Sequence, residues 1–145
     1  MLGKPLLTLV ASTHCNLRCH YCTPTGEAHD CGQGSLDSRR FRLAVEAAIR
    51  VGIRAFRLTG GEPTLLPQFA ELVRCLSEAR SAGSYVTMNT NGVLWERLLE
   101  AVREHPLDLV RVSLDATSEP RFFAMTGRSG FEKVLRGIRE CLAQG

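Results

Sequence analysis

Three cysteines fall within eight residues, in the run Cys15-Asn16-Leu17-Arg18-Cys19-His20-Tyr21-Cys22. Spacings of four and three let three thiolates wrap one metal centre from a single loop. A cubane [4Fe–4S] cluster held by three cysteines keeps one iron open to a small molecule, whereas fully ligated electron-transfer clusters take four cysteines. Zinc is the other chemistry this spacing allows, its shell completed by Cys31, His14, His20 or His29. Six cysteines in 145 residues are many. A disulfide framework would suit a small secreted chain, but crowding of this kind in a reducing compartment points to metal.

A second signal is Gly60-Gly61-Glu62-Pro63. Glycines let backbone approach a ligand closely. Their carbonyls can accept hydrogen bonds from an ammonium, and Glu62 can pair with its charge. Two weaker signals follow. Asn89-Thr90-Asn91-Gly92 on its own is a turn, and Ser113-Leu114-Asp115 on its own is uninformative. Cys75 and Cys141 fall on helical patterns and read as small buried hydrophobes. Trp95 reads as helix packing, and Tyr21 on its own as a half-buried packing residue.

The elements that position these signals alternate between two periods. Leu6-Leu7-Thr8-Leu9-Val10 reads as a buried strand, and further strands are expected over residues 53–58, 85–88 and 109–114. Helical spacing appears in Phe41, Val45, Ala48 and Ile49, capped by Asp37 or Ser38 and ended at Gly52. Pro67 suits the first turn of a second helix carrying Phe69, Leu72, Val73 and Leu76. Leu94, Leu98, Leu99 and Val102 mark a third, and Phe131, Val134, Leu135, Ile138 and Leu142 a fourth. Four β/α units in sequence imply an α/β fold with a parallel sheet and right-handed crossovers. Each Cys-, Gly- or Asn-rich signal falls directly after a strand. Strand C-terminal ends share one rim in such folds, so the four signals converge on one site.

Composition is that of an ordinary globular domain, 44% hydrophobic and 23% charged. A net charge of +3 with dispersed arginines argues against nucleic acid. The apolar run over residues 6–11 is too short for a membrane span. It also lacks the layout of a signal peptide, so a cytoplasmic location is expected.

The run Cys-x-x-x-Cys-x-Tyr-Cys resembles the signature of the radical S-adenosylmethionine (SAM) superfamily, and Gly60-Gly61-Glu62-Pro63 resembles its second motif. The resemblance implies that Cys15, Cys19 and Cys22 hold a [4Fe–4S] cluster whose open iron chelates SAM. An electron from the cluster would then cleave the sulfonium and release a 5′-deoxyadenosyl radical. It places Tyr21 beside the adenine, and Gly60, Gly61 and Glu62 at the methionine ammonium. One branch is closest, containing the GTP cyclase of molybdopterin synthesis and related peptide- and haem-modifying enzymes. There the serine matching Ser113 contacts SAM, and residues 57–63, 122–127 and 131–138 are all close to the cyclase.

Arg57 matches a substrate-contacting arginine, but two positions depart from the cyclase pattern. Thr8 stands where it has an arginine, and Asn89 where it has a nucleotide-contacting threonine. The resemblance further implies a partial TIM-type barrel, residues 1–145 being a radical SAM core that stops after the fourth β/α unit. It also implies a small-molecule or peptide substrate and a reductant such as flavodoxin or ferredoxin.

Overall fold

The computed structural model of the chain describes residues 5–22 and 34–143. Cys31 and His29, two of the residues weighed above as zinc ligands, lie outside them. Four strands, β1 (Leu6–Val10), β2 (Ala55–Thr59), β3 (Tyr85–Thr90) and β4 (Leu109–Val112), form one parallel sheet in chain order. Helices α1 (Ser38–Arg50), α2 (Phe69–Ser81) and α3 (Trp95–Glu104) cross between them. After β4 come two helices, α4 (Glu119–Thr126) and α5 (Phe131–Leu142). The expected parallel α/β order is therefore the observed one.

The pleat sorts side chains by strand parity. Leu7, Phe56 and Val86 form one row across the sheet, and Leu9, Leu58, Met88 and Val110 form the next. Both rows meet the helices, packing with Phe41 and Val45 of α1 and with Leu72, Val73 and Leu76 of α2. Each such fully buried side chain contributes about 1.5–3 kcal/mol of transfer free energy. The alternate row, Thr8, Arg57, Thr87 and Leu109, lies on the opposite face. Strand parity thus puts Arg57 and Asn89 away from the helices. A second apolar cluster forms where Leu17 meets Phe122, Phe131 and Val134. It joins the cysteine loop to α4 and α5.

Several details differ from the sequence expectation, the bounds of β2 and β4 among them: Ala55–Thr59 for the expected 53–58 and Leu109–Val112 for the expected 109–114. β3 runs on through Asn89 and Thr90, because both continue the ladder with Arg111 and Val112 of β4. The chain turns only at Asn91-Gly92, where Gly92 has φ +74°. Pro67 precedes α2 instead of starting it, since Gln68 takes the N-cap position. The short helix α4 was not expected, although it carries a proline in its first turn and a left-handed Gly127 at its end. Trp95 packs as expected, its ring leaving no room for a Cβ at Gly137 of α5. No helix among the described residues is long and apolar enough to cross a membrane.

Candidate functional site

The cysteine loop leaves β1 already tied to the glycine turn that follows β2. Ala11 N–H donates to Thr59 O (2.9 Å), extending the sheet ladder by one rung. Gly61 N–H then donates to Ser12 O (2.7 Å), and Glu62 N–H donates to His14 O (2.7 Å). Gly60 makes this approach possible: its φ is +153°, and a Cβ there would sit 2.5 Å from Ser12 O. Any other residue would force the loop and the turn apart.

Further along, the loop is held by α4. Arg18 N–H donates to Thr126 O (2.7 Å), and His20 N–H donates to Met125 O (3.1 Å). These are two of the carbonyls that a helix C-terminus leaves without intrahelical partners. Cys15, Cys19 and Cys22 are half-buried, and all three line one cleft at the strand C-terminal ends. Gly60, Gly61, Tyr21, Asn89 and Ser113 line the same cleft. The cleft measures about 190 Å³. Clefts that enclose a whole small ligand run to about 300–1,000 Å³, so the described residues form part of a wall.

Two N–H donors reach the sulfur of Cys15. Cys15 Sγ accepts from Leu17 N–H (3.4 Å) and from the Asn91 side-chain amide (3.7 Å). Burial pushes the Cys15 thiol above its ordinary value; the Leu17 N–H opposes this, and the charges of Glu62 and Cys19 add to it. A positively charged metal centre is what would favour the thiolate there.

Three thiols lining one cleft, with N–H donors on the sulfur of Cys15, are a donor set that fits a thiolate-bound metal centre.

Glu62 sits differently from its expected place. It is fully buried and is not part of the cleft lining. Its Oε1 accepts from Thr64 N–H (3.1 Å), Thr64 Oγ1 (2.6 Å) and Thr90 Oγ1 (2.8 Å). Its Oε2 accepts from Asn91 N–H (2.6 Å). The carboxylate therefore staples the end of β2 to the end of β3 from behind the cleft. It forms no ion pair with any cation among the described residues.

The remaining expected residues divide between rim and sheet face. Tyr21, 48% exposed, donates its hydroxyl to Asp115 Oδ2 (2.9 Å) across the mouth of the cleft. Its phenol is held well above the usual range, by partial burial first and then by hydrogen bonds involving Cys19 and Asp115. Ser113 continues the ladder past β4 through its N–H to Thr90 O (2.9 Å). Arg57 Nε and Asn89 Oδ1 are buried polar atoms without a hydrogen-bond partner among the described residues. Such atoms in a native fold call for a ligand, an ion or water.

Several functional positions escaped the sequence reading. Asn91 was read as part of a turn, yet its side-chain amide reaches both Cys15 Sγ and Asn16 Oδ1 (2.7 Å), while its N–H binds Glu62. Arg97 of α3 donates to Thr64 O (2.7 Å) and Leu66 O (3.0 Å), clamping the 3-10 turn Pro63–Leu65 behind the glycines. Residues 122–127 showed a resemblance without a role, and the proline-to-glycine helix signature around them was the available clue.

A parallel α/β sheet whose strand ends bring three cysteines and a glycine turn into one cleft defines an α/β domain with a cysteine-rich site. The family model for the radical SAM superfamily matches residues 9–145, and the chain belongs to that superfamily. It is 36% identical over 146 residues to a "Probable GTP 3',8-cyclase" of Metallosphaera sedula, covering 99% of this chain and 45% of the relative. It is also 36% identical to a "GTP 3',8-cyclase" of Chlorobaculum tepidum, covering 93% of this chain and 40% of the relative. The chain thus spans less than half the length of these relatives. Its fold matches that of Streptococcus suis SuiB bound to precursor peptide SuiA, with a TM-score of 0.73 and 19% identity over 89% of this chain and 29% of SuiB.

Proposed function

We propose that this chain is the cluster- and SAM-binding part of a radical SAM enzyme acting in cofactor biosynthesis, in the manner of the GTP 3',8-cyclases it is similar to. The observation that carries this reading is the convergence of Cys15, Cys19 and Cys22 with Gly60, Gly61 and Ser113 on one cleft. A bound [4Fe–4S] cluster with SAM on its open iron supplies one-electron cleavage of the sulfonium and a 5′-deoxyadenosyl radical. The chain's own residues bind and orient. Cys15, Cys19 and Cys22 hold the cluster, while the Leu17 and Asn91 donors fix the direction of the Cys15 sulfur.

Gly60 and Gly61 offer backbone to the methionine end of SAM, with Ser113 beside them on the rim. Glu62 contributes a negative charge from behind the turn, and a ligand carrying an ammonium and a sulfonium complements it. Tyr21 turns toward the adenine. Arg57 and Asn89, whose buried polar atoms lack partners, face the substrate.

The test is anaerobic reconstitution followed by metal analysis and titration with SAM. A brown protein with about four irons and four sulfides per chain that binds SAM is expected. A colourless protein that takes up only zinc would overturn the reading. GTP binding is measured separately, because Thr8 replaces the arginine of the cyclase pattern.

A further inference from the structure

Tyr21 is held at two points that come from different parts of the fold. Its ring meets that of His20 edge-on, with centroids 5.4 Å apart and an interplanar angle of 80°. His20 is itself fixed on α4, its Nδ1 lying 3.1 Å from Met125 O. The Tyr21 hydroxyl reaches the other way and donates to Asp115 Oδ2 at 2.9 Å, across 94 positions of chain. Asp115 comes shortly after β4, just past Ser113, whose N–H is still tied to Thr90 O. Tyr21 and Asp115 both line the cleft that holds the three cysteines.

Both side chains are exposed, so little apolar packing fixes the Tyr21 ring, and these two contacts set its direction. Among the described residues the Asp115 carboxylate forms no ion pair and accepts from no side chain but Tyr21. The hydroxyl's other neighbour is the Cys19 side chain, which the function proposed above commits to metal. Asp115 is then the partner that remains to the hydroxyl.

An exposed phenol that is free to turn about its torsions must be ordered when a ligand stacks on it, and that ordering subtracts from affinity. A fixed acceptor removes the cost in advance. We infer that Asp115 is a positioning residue that acts through Tyr21, holding the phenol ring across the cleft mouth as a wall for the adenine of SAM. This rests on the function proposed above, in which Tyr21 turns toward that base. A carboxylate at the mouth also attracts a sulfonium directly, whatever Tyr21 does. A double-mutant cycle separates the two routes.

Tyr21→Phe removes the donor and keeps the charge, Asp115→Asn removes the charge and keeps an acceptor, and Asp115→Ala removes both charge and acceptor. The pair Tyr21→Phe with Asp115→Ala closes the cycle. Iron content is measured after anaerobic reconstitution. Two ligands are then titrated calorimetrically into the oxidised protein: SAM, and S-methylmethionine, which has the same amino-acid end and a sulfonium but no adenosyl group. Tyr21→Phe and Asp115→Ala should each weaken SAM binding by about two- to tenfold, the worth of one hydrogen bond, and the pair should lose no more than either alone. Asp115→Asn should lie nearer to wild type than Asp115→Ala, and S-methylmethionine affinity should stay unchanged throughout. In the cluster-free chain, amide hydrogen exchange over residues 18–22 should quicken in both single variants.

Losses that multiply in the pair would overturn the inference, by showing that Asp115 acts through its own charge, as would an Asp115→Asn variant as weak as Asp115→Ala. An equal loss of S-methylmethionine affinity would overturn it too, because the contact would then only hold the loop together. So would unchanged exchange in Asp115→Ala. A wild-type chain that takes up no iron strikes the proposed function, and this inference with it, before any variant is compared. Normal iron content with any of the earlier outcomes strikes this inference alone.

Discussion

Glu62 offers the sharpest test of how the site is built. Replacing it with alanine strands four donors: Thr64 N–H, Thr64 Oγ1, Thr90 Oγ1 and Asn91 N–H. The two hydroxyls can rotate toward other acceptors. The two backbone N–H groups cannot, and each buried donor left unpaired costs about 1–3 kcal/mol. The expected loss is therefore about 2–6 kcal/mol, a large part of the roughly 5–15 kcal/mol that holds a domain together. At about 2–4 °C per kcal/mol for a chain near this size, the unfolding midpoint should fall by about 10 °C.

Glutamine keeps one carbonyl oxygen for the donors on the Oε1 side but turns an amide N–H toward that of Asn91. One donor is lost instead of two, for about 1–3 kcal/mol. Relief from burying an unpaired carboxylate works the other way, but hydrogen bonds to the charged form already offset much of that burial. Thermal unfolding of the cofactor-free chain should thus rank wild type above Glu62→Gln and Glu62→Gln above Glu62→Ala. Both variants should also weaken SAM binding in calorimetry. An alanine variant within about 2 °C of wild type that nevertheless loses SAM affinity would refute the staple and make the carboxylate a direct ligand group alone.

Alanine at Cys15, Cys19 or Cys22 should abolish or destabilise cluster assembly, measured as iron and sulfide content, whereas Cys31→Ala, Cys75→Ala and Cys141→Ala should leave it unchanged. Asn91→Ala removes an N–H donor from Cys15 Sγ, and hydrogen bonds to cluster sulfurs raise reduction potential, so redox titration followed by electron paramagnetic resonance should find a lower potential than wild type. Asp108 accepts from Val86 N–H (2.7 Å) and Arg80 Nε (2.8 Å), and these hold its carboxyl below the usual range despite the burial that opposes them. Its contribution is fully present above the unfolded-state value of about 4 and is lost as pH falls through the lower folded value. The gap in unfolding midpoint between wild type and Asp108→Asn should therefore be widest near neutrality and close in acid.

What the sequence made legible follows the range over which each signal acts. Strand and helix periods are local, and they found every strand and four of the five helices. The cysteine run and the glycine turn are local too, and each lands directly after its strand. The contacts that join them are not local. Asn91 reaches Cys15 across 76 positions, and Thr90 reaches Glu62 across 28. An Asn-Gly pair announces a turn whether or not its side chain is used elsewhere, so nothing nearby marks Asn91 as a partner of a cysteine. The partners of Glu62 were hidden for a related reason. A carboxylate after two glycines can point into a cleft or behind it, and the choice depends on the threonines at 64 and 90, whose hydroxyls come together only in the fold.

The same geometry explains why a loop this rich in small and polar residues can serve as a scaffold. Between Ala11 and Cys22 the described chain has little apolar surface to bury beyond Leu17. Its order comes from backbone bonds made to rigid elements on either side: the glycine turn through Ser12 and His14, and α4 through Arg18 and His20. Fixing a residue's backbone costs about 1–2 kcal/mol, and a loop ordered only by its ligand would subtract that cost from binding. Here much of it is met during folding, because the turn after β2 and the end of α4 belong to strands and helices with apolar clusters of their own. Gly60 and Gly127 hold the two approaches open, one against Ser12 and the other against Arg18. A side chain at Gly60 would push the loop off the turn, and one at Gly127 would strain a left-handed backbone and press on Arg18, in both cases with all three cysteines still in the sequence, so the shape of the site depends on more than the cysteine run.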